Sequence, residues 1–187
     1  MNLPNRLTIA RLAGTVVFVA AMSIPFPGRY PLALGVFLLS ALTDFLDGHL
    51  ARRDGLITDF GKLMDPLADK VLMAAGFVCL VPLGMLPAWA AVAILAREFL
   101  ITGLRTLAAG KGVVLPAERL GKWKTVLQVA TIGALLAIVA LEPAAPRSSP
   151  LFPFGFALVL ATVALTLLSG LGYAIRNRQL FLDDVAG

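Results

Sequence analysis

Cysteine and histidine are almost missing from this chain: its 187 residues include one of each, Cys79 and His49. A lone thiol in an apolar run builds neither a disulfide framework nor a zinc site within one chain, so Cys79 reads as a buried, inert side chain. Charge is scarce as well. Charged residues make up 14% of the sequence against 59% hydrophobic, far from the usage of an ordinary soluble domain. Strand-type alternation is lacking, and of the two architectures that satisfy their backbone in lipid, helix bundle and closed barrel, this leaves the bundle.

What is present is apolar sequence in long stretches. A hydrocarbon core of ~30 Å takes ~20 mostly apolar residues per helix, and six such stretches lie near 8–26, 31–53, 61–82, 87–109, 121–142 and 154–175. Little chain remains outside them, so the expectation is a single polytopic domain over 1–187, all-α, with six transmembrane helices. The net charge of +5 follows topology rather than a nucleic-acid surface. Arg6, Arg11, Arg52, Arg53, Lys62, Lys111, Arg119, Lys122, Lys124, Arg176 and Arg178 share one side, and Arg29 and Arg147 the other. That asymmetry predicts a multi-pass cell-membrane protein with both termini in the cytoplasm. The first stretch has the basic flank and small residues (Ala20, Ala21) of a signal peptide. Its removal would leave five spans and upset the charge asymmetry, so it is read as the first span.

Four carboxylates stand where lipid should be. Asp44 and Asp47 fall in the cytoplasmic half of the second span, Asp65 and Asp69 in that of the third. Each costs up to ~2.5–3.5 kcal/mol at the centre of an inserted helix, less towards its ends. Asp44, Asp47, Gly48 and Ala51 follow i, i+3, i+4, i+7, and Gly61, Asp65 and Asp69 follow i, i+4, i+8, so each set lines one helical face. The small residues on those faces admit a close backbone or a bulky ligand. Converging like charges repel unless a cation sits between them, and oxygen-only donors favour Mg²⁺ or Mn²⁺. A set of intramembrane ion pairs with Lys62, Lys70, Arg52 and Arg53 is the blander alternative.

The run Asp44-Phe-Leu-Asp47-Gly48-His-Leu-Ala51-Arg52, eight residues, Gly61, three residues, Asp65, three residues, Asp69 resembles the signature of the CDP-alcohol phosphotransferases, D-x2-D-G-x2-A-R-x8-G-x3-D-x3-D. His49 falls on a variable position. The resemblance implies six transmembrane helices, a homodimer, and an active site open to the cytoplasm. It further implies two divalent metals on Asp44, Asp47, Asp65 and Asp69, with Asp69 as general base. The donor, CDP-diacylglycerol, would lie near Asp44, Gly48, Ala51 and Arg52. Asn5 and Thr8 are the best further candidates for contacting it, and either could instead cap the first helix.

The acceptor must be read elsewhere. The opening Asn2-Leu-Pro4-Asn5-Arg-Leu7-Thr8, the run Ala96-Arg97-Glu98 to Arg105, and Gly121-Lys122-Trp-Lys124-Thr125 resemble the glycerol-3-phosphate-using branch of that family, the bacterial phosphatidylglycerophosphate synthases. Arg97 and Arg105 lie eight apart on one face of the fourth span. Lys124, Gln128 and Thr131 share a face of the fifth. A cation cluster of Arg97, Arg105, Lys122 and Lys124 suits a doubly charged phosphate. For Lys122, Lys124 and Arg119, snorkelling at a helix end is an equal alternative. Glu98 can be read as an ion-pair partner of Arg97, and Trp123 as part of an interfacial aromatic belt. Cardiolipin synthase and then phosphatidylinositol phosphate synthase follow as alternatives within the family. A cation transporter is the alternative outside it, and the internal repeat it should show is not found.

Overall fold

The computed structural model describes the backbone of residues 3–54, 59–113 and 119–178, and the side chains of 8–43, 64, 66–113, 121 and 123–178. Among these, the chain forms α1 (Leu3–Ser23), α2 (Arg29–Asp54), α3 (Asp59–Leu80), α4 (Ala88–Gly110), α5 (Arg119–Leu141), a 3-10 turn (Pro146–Ser148) and α6 (Phe152–Arg176). The described residues include no strand.

Prolines set several of the ends. Helix α1 stops at Ser23, short of the expected residue 26, because Pro25 disfavours helical geometry at Ile24. Pro87 precedes the first turn of α4 and Pro153 sits within the first turn of α6, where a missing N–H has no consequence. Pro66 lies inside α3, between Asp65 and Asp69, and removes one bond from the helical ladder there. Gly84, at φ +67°, reverses the chain between α3 and α4; a Cβ on it would meet Arg147 Cδ at 3.0 Å. The α3–α4 turn and the α5–α6 connection therefore share one end of the bundle.

Helix α1 packs on α2 and α3, α5 on α2 and α6, and α4 on α6. The core where these meet is filled by Phe18, Phe37, Leu72, Phe77, Ile132 and Leu135, with the Phe18 and Phe37 rings 5.9 Å apart. Link α4 to α5 differs, being made by long polar side chains rather than by close packing of the helices.

Two helical segments, Trp123–Leu141 and Phe152–Arg176, are long and apolar enough to cross a membrane, with mean hydropathy 1.9 and 2.2. Shorter apolar segments are Thr8–Ser23 and Arg29–Thr43. Helices α3 and α4 carry the charges that matter below, which lowers their hydropathy. Every helix nonetheless exposes large apolar side chains outward: Val16 on α1, Leu39 on α2, Val78 on α3, Val92 on α4, Val126 on α5 and Leu168 on α6. Apolar surface on all sides of a bundle is the mark of a lipid solvent rather than of a single docking patch.

Candidate functional site

The chemistry-bearing residues collect at the end opposite Gly84 and Arg147. They come from the first halves of α1, α3 and α5, the second half of α2, and the middle and later turns of α4 and α6, as an alternating up-and-down bundle requires. Asp44, Asp47, Gly48, Ala51 and Arg52 lie on the second half of α2, Asp65 on the first half of α3, Asn5 in the first turn of α1 and Lys122 near the start of α5. Their side chains, with that of His49, lie outside the described residues. Helices α2 and α3 pack together, with four residues, 55–58, between them in the sequence. The two halves of the aspartate motif thus belong to one end of one helix pair.

Asp69 is half-buried and stands at a boundary. On one side it lines a groove of about 440 Å³ whose other walls are apolar except for Thr125, among them Leu38, Leu42, Leu72, Val126 and Val129. On the other it lines a small cavity of about 30 Å³, shared with Lys70, Glu98, Thr125 and Gln128, which has room for a water molecule. Met73, Phe77, Ile94, Leu95 and Phe99 complete that cavity, so its polar groups sit on one side of an otherwise apolar lining.

Glu98, on that lining, organises a polar cluster that forms the pocket's charged wall between α4 and α5. One of its carboxylate oxygens accepts from Lys124 Nζ, from Gln128 Nε2 at 3.4 Å and from Arg97 Nη1 at 3.4 Å. Glu98 is thus the hub of a cluster spanning α4 and α5, more than a partner for Arg97 alone. Lys124 is only 6% exposed, which excludes snorkelling for it: its ammonium turns inward to a carboxylate. Arg97 Nη2 also donates to Ser169 Oγ on α6 at 3.1 Å. Arg105, two turns further along α4, is not part of this cluster. Its Nε donates to the Tyr173 hydroxyl at 3.2 Å, with the guanidinium 5.2 Å from the Tyr173 ring centroid. Thr131, on the same face of α5 by spacing, meets a different neighbour. It is fully buried against α6, its hydroxyl 2.7 Å from that of Thr162.

Two expectations about α1 change. Thr8 lies well inside the helix and does not cap it. Arg11 is an interior residue rather than a flanking charge, buried with Thr8 and Thr15 at i, i+3 and i+7 on one face of α1. The residues overlooked in the sequence are on α6. Thr162, Thr166, Ser169 and Tyr173 are all buried, and their 4-3-4 spacing is the helical period of one polar stripe, visible in an otherwise apolar segment.

The family model described as CDP-alcohol phosphatidyltransferase matches residues 1–168. The chain belongs to that family. It is 37% identical over 188 residues to a Bacillus subtilis CDP-diacylglycerol–glycerol-3-phosphate 3-phosphatidyltransferase, covering 94% of this chain and 95% of the relative. A probable phosphatidylglycerophosphate synthase of Mycobacterium tuberculosis is 36% identical over 191 residues, covering 100% of this chain and 84% of that one. A CMP-forming cardiolipin synthase of Oryza sativa is 34% identical over 183 residues, covering 90% of this chain and 55% of the relative. As a member of this family the chain is an enzyme, a phosphatidyltransferase. Its apolar helices and its lipid-synthesising family together mark a membrane protein.

Proposed function

We propose that this enzyme transfers the phosphatidyl group of CDP-diacylglycerol to glycerol 3-phosphate, giving phosphatidylglycerophosphate and CMP. The observation that carries the reading is the position of Asp69, which lines an apolar groove on one side and on the other stands close enough to Lys124, the partner of Glu98, for their charges to interact. A lipid donor and a phosphorylated alcohol need those two surroundings on either side of the reacting group. The names of the relatives from Bacillus subtilis and Mycobacterium tuberculosis point the same way.

In this reading the diacylglycerol part of the donor lies along Leu38, Leu42, Val126 and Val129. Its nucleotide rests near Asp44, Gly48, Ala51 and Arg52, with Asn5 and Thr8 beside it. Arg97, Arg105, Lys122 and Lys124 hold the acceptor's phosphate through charge-assisted hydrogen bonds. Asp69 takes the proton of the acceptor's 1-hydroxyl. That oxygen forms a new bond to the phosphorus bearing diacylglycerol, and the bond to the bridging oxygen breaks with its electron pair leaving on CMP. Positioning does most of the work, since the protein forms no covalent bond to the substrate.

Asp44, Asp47, Asp65 and Asp69 fit a pair of divalent ions, Mg²⁺ or Mn²⁺. The donors are all oxygen, and the motif lies on two packed helices joined by a short connection. Bound there, the ions would neutralise the donor's diphosphate. All six helices would span the bilayer, as their exposed apolar faces favour, with both termini and the site cytoplasmic and a second copy completing a homodimer.

The test is CMP release by the purified enzyme with CDP-diacylglycerol and one candidate alcohol at a time. Release should require glycerol 3-phosphate. Release driven by phosphatidylglycerol instead would make the enzyme a cardiolipin synthase.

A further inference from the structure

The family match ends at residue 168, yet Arg97 and Arg105 of α4 are held by residues immediately beyond it. Arg97 lies flat against the backbone of α6 at Gly170. A Cβ on that glycine would stand 2.7 Å from Arg97 Cγ and 3.1 Å from its Nε, closer than atoms of a packed stem tolerate. The Ser169 hydroxyl donates its hydrogen to the Thr166 carbonyl at 3.0 Å. Its lone pairs therefore face Arg97 Nη2, and the serine serves as an oriented acceptor. One turn on, Tyr173 receives Arg105 Nε and places its ring beneath the guanidinium. The Tyr173 carbonyl is in turn capped by Asn177 Nδ2 at 2.8 Å, which closes the helix end just after the contact. Ser169 and Tyr173 are each only 2% exposed, whereas Arg105 is exposed. The tyrosine is thus a buried anchor for an exposed arginine.

We propose that Ser169, Gly170 and Tyr173 are positioning residues for acceptor binding, fixing Arg97 and Arg105 in the geometry that receives the phosphate of glycerol 3-phosphate. The inference rests on the acceptor reading given above. Arginine has a long stem with many rotamers, and a guanidinium fork fixed beforehand loses less freedom when a phosphate docks. Neutral partners do this without adding a negative charge that would repel the ligand. A carboxylate at 169 or 173 would hold the arginines as firmly and cancel their charge.

The experiment is steady-state kinetics of the full-length enzyme in mixed micelles, varying glycerol 3-phosphate and CDP-diacylglycerol separately. Ser169→Ala and Tyr173→Phe each remove one hydrogen bond and keep the packing. The KM for glycerol 3-phosphate should rise about three- to tenfold in each, the worth of one such bond. The KM for CDP-diacylglycerol and kcat should stay within about twofold, and Ser169→Thr, which keeps the hydroxyl, should restore the wild-type acceptor KM. Gly170→Ala should raise it further, by about ten- to a hundredfold, because it displaces a charged contact. Arg97→Gln and Arg105→Gln are run beside them. If those two raise the acceptor KM while Ser169→Ala and Tyr173→Phe do not, the positioning role is refuted and the acceptor reading stands. If the arginine variants leave the acceptor KM unchanged, the acceptor reading fails and takes this proposal with it. An equal rise in both KM values would assign α6 a merely structural role and overturn the proposal.

Discussion

Replacing Glu98 by Gln, Lys124 by Met, and both together isolates the ion pair that bridges α4 and α5. The two side chains are 18% and 7% exposed, deep enough that removing one partner strands the other. Stranding a buried charge costs about 3–5 kcal/mol when nothing else compensates. Here something does. After Lys124→Met, Glu98 keeps Arg97 and Gln128, both at 3.4 Å, so the loss should be near 2 kcal/mol, the scale of one charged hydrogen bond. After Glu98→Gln, Lys124 keeps an amide oxygen and the attraction of Asp69, and about 2–3 kcal/mol is expected.

The double variant loses both charges at once and strands neither. Its total loss should be about 2 kcal/mol, well short of the sum of the singles, which leaves a coupling energy of about 2 kcal/mol. In a chain of this size 1 kcal/mol moves a thermal midpoint by about 2–4 °C. The double should therefore melt about 4–8 °C above the midpoint that additivity would give. The assay is thermal unfolding of the three variants and wild type in one detergent. Additivity within about 0.5 kcal/mol would refute the pair as a unit and, with it, the view that charge rather than packing joins these two helices.

The remaining expectations concern the chemistry and the membrane interior. Asp44→Asn, Asp47→Asn and Asp65→Asn should each abolish CMP release while the protein still inserts and purifies, and chelation should silence wild type until Mg²⁺ or Mn²⁺ returns; turnover surviving thorough chelation would remove the metals from the scheme. Asp69→Asn should nearly eliminate turnover but spare much of the binding of CDP-diacylglycerol, measured on purified protein, because three motif carboxylates remain. Lys124→Met should raise the KM for glycerol 3-phosphate by roughly ten- to a hundredfold, and equal losses for both substrates would point to a folding defect. Thr131→Val should cost only the ~0.6–1.7 kcal/mol of an intramembrane hydrogen bond, read as a small fall in the thermal midpoint, and leave both KM values alone, since Thr131 joins α5 to α6 away from the pocket.

The family was legible in the aspartate motif because such a signature lies in spacing along single helices: 44, 47, 48 and 51 define a face whatever the bundle does around them. Helix ends were legible to a few residues, with prolines doing most of the correcting, as at Ser23 before Pro25. Contacts between helices were less so. Lys124 and Thr131 do share a face by angle, but seven residues advance about 10.5 Å along the axis. Over that rise the neighbour changes from Glu98 on α4 to Thr162 on α6. Glu98 and Lys124 lie 26 residues apart, so nothing in either local pattern announces the pair. The stripe of Thr162, Thr166, Ser169 and Tyr173 carried a readable period, but in so apolar a segment its polar members pass as scattered tolerances until Arg97 and Arg105 are seen to rest on them.

The charges around the pocket also bear on which alcohol it takes. Arg97, Arg105 and Lys124 bring three positive charges and Glu98 withdraws one, while Ser169 and Tyr173 hold the arginines without withdrawing more. Lys70, which lines the small cavity, and Lys122 of the proposed acceptor set add to these, so cations outnumber carboxylates around Asp69. A phosphate monoester such as glycerol 3-phosphate carries up to two negative charges near neutral pH and suits that excess. A phosphodiester such as phosphatidylglycerol carries one, and would leave a cation uncompensated in a half-buried pocket where such an excess is unfavourable. The same reasoning explains why Glu98 is tolerated beside an anion site: without it, Lys124 and Arg97 would repel each other across the seam between α4 and α5 whenever the acceptor was absent. A carboxylate that closes the seam between turnovers, yet leaves enough positive charge to attract a dianion, reconciles the stability of the empty pocket with its selectivity.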